Sequence, residues 1–336
     1  MNLSRRNLII AMILIVIIVP TVYFGFYLPT TAPKNVVFVY PLPLVQGFWE
    51  YDYAAYAGIY REEGLNVTLL TVRTVPEMVN ALVAGEANFA GGTATCMEAI
   101  AANAPLKVVL VTARQSFAMV TRPGINSIYD VKTIATVSRD INPYMTTVFL
   151  HDHGINPDTI QYRYVGAPGL LPAILGPTDS PTACDAANLG ASTYNALQAG
   201  CKILWHFAQE YPNFTLSGLV TSDKMVAEKP VILKSMVKAV YRSLAYIMTH
   251  KEEAITYAMQ RWNIDRAYAT FIYEWSYGDK YGGEVHLKLQ QIGLPTNMLN
   301  YTMQMVGQYL NVATKSLTEW VDTSFWVQAQ RELGLS

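Results

Sequence analysis

The sequence predicts an α/β fold of two lobes, each a parallel-rich sheet with helices on both faces, followed by C-terminal helices. Short β-branched or aromatic runs alternate with helical stretches from Val36 to about Phe207, the pattern of strands in a mostly parallel sheet covered by helices. Hydrophobic residues make up 51% of the 336 positions, enough for a large core. From Pro230 onward the pattern turns helical, with an apolar stripe at Ile232, Met236, Val240, Leu244 and Ile247. Charged residues are only 15% of the chain, against about 25% in an average domain. The formal net charge of -1 gives no basic field of the kind a nucleic acid requires.

The N-terminus stands apart. Leu8 to Leu28 is uncharged and mostly apolar, and its length suits a helix crossing about 30 Å of hydrocarbon. Arg5 and Arg6 precede it, which leaves the N-terminus in the cytoplasm and everything after Pro29 outside. The other reading is a cleaved signal peptide, for which Thr30-Thr31-Ala32 is a poor site. Export would present three acceptor triplets for glycosylation, at Asn66, Asn213 and Asn300. The expected division is 1–34 for stub, membrane segment and linker, 35–121 with 216–336 for a first lobe, and 122–215 for a second.

In the first lobe, Val36–Tyr40 reads as a buried strand, followed by a Pro-containing loop and a helix through Tyr53, Ala54, Ala57 and Ile59 that Gly64 ends. Val67–Val72 is a second strand. A helix with Pro76 in its first turn runs to Ala84. Asn88–Ala90 is a third strand, Lys107–Thr112 a fourth, and Ala118–Thr121 a fifth. In the second lobe, Ile134–Val137, Ile160–Val165, Ala183–Asn188 and Lys202–Phe207 read as strands. Leu216–Thr221 re-enters the first lobe. Two crossovers, near Arg122 and near Asn213, would form a hinge.

Several stretches carry a family resemblance. Tyr53 to Val67, with its core A-G-I-Y-R-E-E-G-L-N-V, and Met78 to Ala90, MVNALVAGEANFA, resemble two segments of the extracytoplasmic solute-binding proteins of ABC importers. The branch is the one that binds sulfonates, nitrate or thiamine-precursor pyrimidines. Pro123 to Lys132 is similar to that family's crossover but lacks the Gly-Lys that usually follows, and Cys184-Asp185-Ala186-Ala187 resembles its second-lobe strand. Asn88 stands where the family commonly has Asp. The resemblance spans Asn35 to about Trp262. It implies a type II periplasmic-binding-protein-like fold, a small-molecule ligand in the inter-lobe cleft, and an ABC permease and ATPase as partners. No cofactor is implied.

Ligands of such sheets bind beyond the carboxyl ends of the strands. That rule selects Trp49, Tyr51, Arg73, Gly91, Gly92, Thr93, Thr95, Arg114, Gln115 and Ser116 in the first lobe. In the second it selects Arg139, Tyr144, Gly166, Asn188 and Ser192. Aromatic faces suit a flat ring or a cation. The arginines suit an anion held bidentately. A heteroaromatic or organic anion would satisfy both. Gly91-Gly92 reads either as a turn that lets a ligand approach the backbone or as a tight turn alone.

Catalytic signals are sparse. GxSxG, HExxH and CxxC are absent, and His151 and His153 lack a third ligand close by in sequence. Cys184 and Cys201, each in or beside an expected strand, read equally as a disulfide or as two buried thiols, and Cys96 as packing. Two other functions share the resemblance: an enzyme of the branch that makes the thiamine pyrimidine, and a surface sensor or structural protein that has lost transport.

Overall fold

The computed structural model describes residues 33–41, 48–72, 74–137, 141–278, 281 and 285–335. The run Leu8–Leu28 lies outside these. Among the described residues no helix is long and apolar enough to cross a membrane.

The chain begins with β1 (Lys34–Pro41), α1 (Trp49–Tyr56), α2 (Ile59–Glu62), β2 (Leu65–Val72), α3 (Val75–Val83), β3 (Phe89–Gly92), α4 (Thr93–Ala101) and β4 (Leu106–Arg114). It crosses to β5 (Ala118–Thr121), β6 (Thr133–Thr136), α5 (Ile141–Asp152), β7 (Gln161–Tyr164), α6 (Leu170–Leu175), β8 (Ala186–Leu189), α7 (Thr193–Gln198) and β9 (Lys202–His206). It returns through α8 (Phe207–Glu210) to β10 (Thr215–Ser222). The helices α9 (Asp223–Glu228), α10 (Pro230–Thr249), α11 (Lys251–Trp262), α12 (Arg266–Tyr277), α13 (Thr296–Leu310), α14 (Leu317–Trp320) and α15 (Ser324–Leu333) complete it.

Two five-stranded sheets result, ordered β2-β1-β3-β10-β4 and β7-β6-β8-β5-β9. Both are mixed. In the first, β1 runs parallel to β2 and β3, while β10 lies antiparallel between β3 and β4. In the second, β6 is parallel to β7 and β8, and β5 is antiparallel to β8 and β9. Each returning strand enters its sheet against the grain because it arrives from the other lobe.

Local chemistry sets many boundaries. Thr74 caps α3 by accepting the Glu77 N–H, with Pro76 in the first turn. Ser222 and Asp265 cap α9 and α12 in the same way. Gly58, at φ +75°, separates α1 from α2, where the sequence suggested one helix running to Gly64.

Three expectations need correction. Ala118–Thr121 pairs with β8 and β9, so this strand belongs to the second sheet, and the chain crosses at Gln115–Phe117 rather than near Arg122. Gly91 and Gly92 are strand residues, fully enclosed, and not an open turn. A side chain at Gly91 would meet the Phe48 ring at 2.9 Å, and one at Gly92 would meet the Met78 methyl at 2.5 Å. The glycines therefore admit core side chains. Finally, β8 and β9 are not neighbours, because β5 lies between them. Strands two places apart are separated by about 10 Å, beyond the roughly 7 Å Cα limit of a disulfide. Cys184, Cys201 and Cys96 are free and buried.

The core of the first lobe closes over α1, whose residues from Trp49 to Ala54 are all buried, two acids included. Glu50 has no exposure, and its carboxylate accepts from the Thr112 hydroxyl at 3.0 Å and lies 3.1 Å from His286 Nε2. The other ring nitrogen faces the Ser276 carbonyl at 3.2 Å. The ring is thus held between the Glu50 carboxyl and a backbone carbonyl. Asp52 accepts from the Tyr257 hydroxyl (2.8 Å) and from Arg261 through Nε (2.7 Å) and Nη2 (3.3 Å). These bonds tie α1 to β4, to the 285–287 segment and to α11.

Removing one partner of a buried pair strands the other charge, so His286→Ala should lower the unfolding free energy by about 3–5 kcal/mol. The double variant with Glu50→Leu should lose less than the two single losses combined, as urea denaturation of all four proteins will test. Gly91→Ala should cost about 1–3 kcal/mol by overpacking, and Phe48→Leu in the same chain should recover part of it. Additive losses would refute that contact as the cause.

Candidate functional site

The two lobes are joined by two backbone segments that bond each other. The Gln115 N–H donates to the Phe214 carbonyl at 3.3 Å, and the Phe207 N–H to the Phe117 carbonyl at 3.1 Å. Arg114 Nε donates to the Pro212 carbonyl at 2.9 Å. The Ser116 carbonyl receives the Trp275 indole N–H at 3.1 Å. Trp275 also packs on the His206 ring, 4.6 Å between centroids, and burial pushes the His206 pKa down to about 4.

At these crossings lies a narrow gap walled by Gln115, Phe117, Met145, Asn188 and Phe207. It is too tight to admit a water molecule. Gln115 and Phe117 come from the outward crossing and Phe207 from the return. Met145 comes from α5, and Asn188 from β8. Asn188 is 3% exposed. Its Nδ2 donates to the Thr146 hydroxyl at 3.0 Å, and its Oδ1 has no protein partner. A buried acceptor left unpaired costs about 1–3 kcal/mol, and this atom is the one such case among the walls of the gap. A wider, more open groove is lined by Gln304, Gln308, Asn311 and Thr314. One helix and one turn carry it, and the second lobe adds nothing to it, so lobe closure cannot grip a molecule there.

Of the residues selected from sequence, Gln115 and Asn188 are brought together in the gap. Ser116 is buried beside them in the crossing. Tyr144 and Ser192 are half-buried where the lobes meet, and Tyr144 donates to Gln308 Oε1 at 3.4 Å with its ring against Tyr309. Burial raises the Tyr144 pKa. Gly166, at φ +69°, turns the chain after β7. Thr95 is half-buried on α4. Arg114 serves the crossing through Nε. Arg73 and Arg139 lie outside the described residues.

Trp49, Tyr51 and Thr93 are placed differently from the expectation. Trp49 has no exposure and packs among Trp262, Tyr273 and Tyr277. The Tyr51 hydroxyl donates to the Gly218 carbonyl at 2.7 Å deep in the first sheet. Thr93 is equally enclosed: its Oγ1 would lie 2.8 Å from a side chain at Gly218. All three are core positions. The aromatic cluster read from sequence is therefore core packing, and the ring-bearing walls of the gap are Phe117 and Phe207. Asp185 accepts from Lys132 N, Thr133 N and Thr133 Oγ1 and is structural. The asparagines of all three glycosylation triplets are exposed.

Three further contacts hold the lobes against each other. The Ile141 N–H, at the start of α5, donates to Glu98 Oε1 on α4 at 3.2 Å. The Tyr268 hydroxyl donates to the Ala191 carbonyl at 3.3 Å, and its ring stacks on Tyr194 at 4.7 Å. Tyr144 and Gln308 form the third. Sequence reading missed Glu98, Phe117, Met145, Phe207 and Tyr268. Phe117 and Phe207 could have been found from the strands they border, whereas Glu98 and Tyr268 carry no local signal.

A family model described as NMT1/THI5 like matches residues 48–254, which include both crossings and every wall of the gap. The chain belongs to this family. Solved structures share the fold at low identity. The ligand-binding component of an ABC-type import system from Staphylococcus aureus, with zinc bound, aligns with a TM-score of 0.70 at 14% identity over 89% of this chain and 99% of its own. A periplasmic sulfonate-binding protein, described as putative, from Methylobacillus flagellatus gives 0.68 at 16% over 91% and 97%. The periplasmic nitrate-binding protein of Synechocystis gives 0.69 at 12% over 90% and 90%. These establish the periplasmic-binding-protein fold for both lobes. No curated protein matches the sequence. Among the described residues no group of three His, Cys, Asp or Glu is placed to hold a metal ion.

The His206 shift predicts a pH effect. The unfolded chain takes up a proton as the pH falls through about 6.5, while the folded ring stays neutral down to about pH 4. Stability should therefore fall across that window as the pH is lowered and level off below it. His206→Gln should remove this part of the loss. Urea midpoints of both proteins at about pH 7 and about pH 4.5 test it: equal losses would exclude His206 as a source.

Proposed function

We propose that this chain is an extracytoplasmic substrate-binding protein that captures a small organic molecule between its lobes and hands it to an ABC permease. The observation that carries the reading is the gap at the crossings. Its walls come from the second lobe and from both connecting segments, so a ligand there would touch the segments about which the lobes close. Closure needs no covalent chemistry, only a ligand that stabilises the closed arrangement more than the open one. Relatives of the same fold described as import components and as sulfonate- or nitrate-binding support it. The apolar run Leu8–Leu28 would hold the protein at the outer face of a membrane, with 33 onward outside.

An enzymatic reading finds less support. The carboxylate–imidazole pair Glu50–His286 has no exposed side-chain surface and cannot reach a substrate. The ligand-facing set in this proposal is Gln115, Phe117, Met145, Asn188 and Phe207, with Ser116, Tyr144 and Ser192 at its margin.

Gently purified protein should release a small molecule on denaturation, identified by mass spectrometry. That compound, added back, should raise the melting temperature of the stripped protein. Asn188→Leu should weaken its binding by roughly 1–3 kcal/mol while leaving the fold intact by circular dichroism. A chemically altered product in place of an unchanged compound would favour an enzyme, and binding unaffected by Asn188→Leu would move the site elsewhere.

A further inference from the structure

We infer that the free edge of β2 is a dimerisation surface, on which two copies of this chain join their first sheets into one. The inference is independent of what the cleft binds.

An open sheet ends in two strands whose outer N–H and C=O groups lack a strand partner. Proteins guard such edges with short strands, charges, bulges or a covering segment. Three of the four edges here are guarded. β4 is covered by bridges from Val108 to Val321, Val111 to Gly293 and Ala113 to His286. β7 has four residues and carries Arg163. β9 begins with Lys202, and a register shift interrupts its pairing with β5. β2 has none of these devices. It is eight residues long, reads LNVTLLTV without a charge or a proline, and pairs with β1 in unbroken register.

The groups this edge offers follow from its pairing. The Lys34 N–H donates to the Gly64 carbonyl at 3.0 Å. Backbone groups alternate in direction along a strand, so the even-numbered residues of β2 bond β1 and the odd-numbered ones turn outward. Leu65, Val67, Leu69 and Thr71 therefore line the edge. Among the described residues no backbone hydrogen bond reaches their outward groups.

The strand is its own complement. In an antiparallel pair about a two-fold axis at Thr68, Leu65 meets the partner's Thr71, and Val67 meets the partner's Leu69. Each such pair exchanges two bonds, about eight in all, and no outward group is left over. A typical stable interface carries about ten direct hydrogen bonds. A second copy thus satisfies the whole edge and brings no charge to an uncharged strand. Thr68 faces its own copy across the axis, where side chains approach most closely. Asn66, Thr68 and Leu70 are all exposed and add cross-strand contacts. With one unguarded edge per copy, the pairing closes at two and does not propagate.

Cross-linking reads the register directly. Thr68 and its copy would have Cα atoms about 4.5 Å apart, within disulfide reach, and the three native cysteines are buried. Mild oxidation of the full chain, in membranes or in detergent, should convert the Thr68→Cys variant to a covalent dimer. Thr71→Cys, with the two copies of residue 71 about 20 Å apart, should not cross-link. Sedimentation equilibrium should show Thr68→Lys and Thr68→Glu each weakening the dimer at least about tenfold, because like charges would oppose each other at the axis. An equimolar mixture of the two should restore it. A monomeric native chain with no linkage through Thr68→Cys would overturn the inference. Equal cross-linking of Thr71→Cys would also overturn it, as would a dimer unaffected by either charge, which would be held by another surface such as the apolar N-terminal run.

Discussion

The backbone pairing between the two crossings is the constraint on which the rest of the molecule depends. Gln115 to Phe214 and Phe207 to Phe117 make a two-bond ladder between segments that enter and leave the second lobe. One crossing alone would leave the lobes free to rotate in any direction. Two crossings bonded together would restrict relative movement of the lobes to an opening about the line they define. Arg114, reaching to the Pro212 carbonyl, and Trp275, reaching to the Ser116 carbonyl, fix that line to the first lobe. The gap lies against it, where a small change in angle makes the least displacement and contacts at the far rims the greatest. Glu98, Tyr144 and Tyr268 add contacts between the lobes outside the crossings.

The first lobe supplies rigidity by unusual means for so apolar a chain. Its helix α1 is buried nearly all round and carries Glu50 and Asp52 into the core. Buried charges are poor sources of net stability but strict sources of geometry, because each admits few partner positions. Glu50 can be satisfied only with His286 and Thr112 in place, and Asp52 only with Tyr257 and Arg261. These partners come from β4, α11 and the segment after α12, so segments far apart in sequence must meet in one register around α1. The 285–287 segment also bonds β4 where the outward crossing begins: the Arg114 N–H donates to the Val285 carbonyl. The core charges and the hinge are thus built on the same strand.

Much of the architecture was legible in the sequence because it is written in local terms. Alternating strand and helix runs and the return at Leu216–Thr221 each follow from neighbouring residues. What was hidden depends on partners distant along the chain. The sheet to which Ala118–Thr121 belongs is decided by β8 and β9, which follow much later. Gly91 and Gly92 looked like a turn because nothing local shows that the Phe48 ring and the Met78 side chain lie where their side chains would be. The site was half legible for the same reason. Gln115 and Asn188 sit at strand positions that a general rule selects. Trp49 and Tyr51 suit a ligand by their chemistry and by their place after β1, although a helix buried over nearly all its length claims them for the core. Glu98 was invisible because its role exists only when α5 of the other lobe stands opposite.

The placing of β10 has a consequence for how the protein is made. This strand lies inside the first sheet, between β3 and β4, yet it is synthesised after the whole second lobe. The second sheet draws all its strands from one unbroken stretch, 118–206, and can close as soon as that stretch is available. The first sheet remains in two separate parts, β2-β1-β3 and β4, until residues 215–222 arrive to join them. Such long-range pairing is slow to form and leaves strand edges exposed meanwhile. The lobe that begins the chain is therefore the last to be finished. A chain crossing a membrane in order would reach the far side with its second lobe ready to fold and its first still waiting for its central strand.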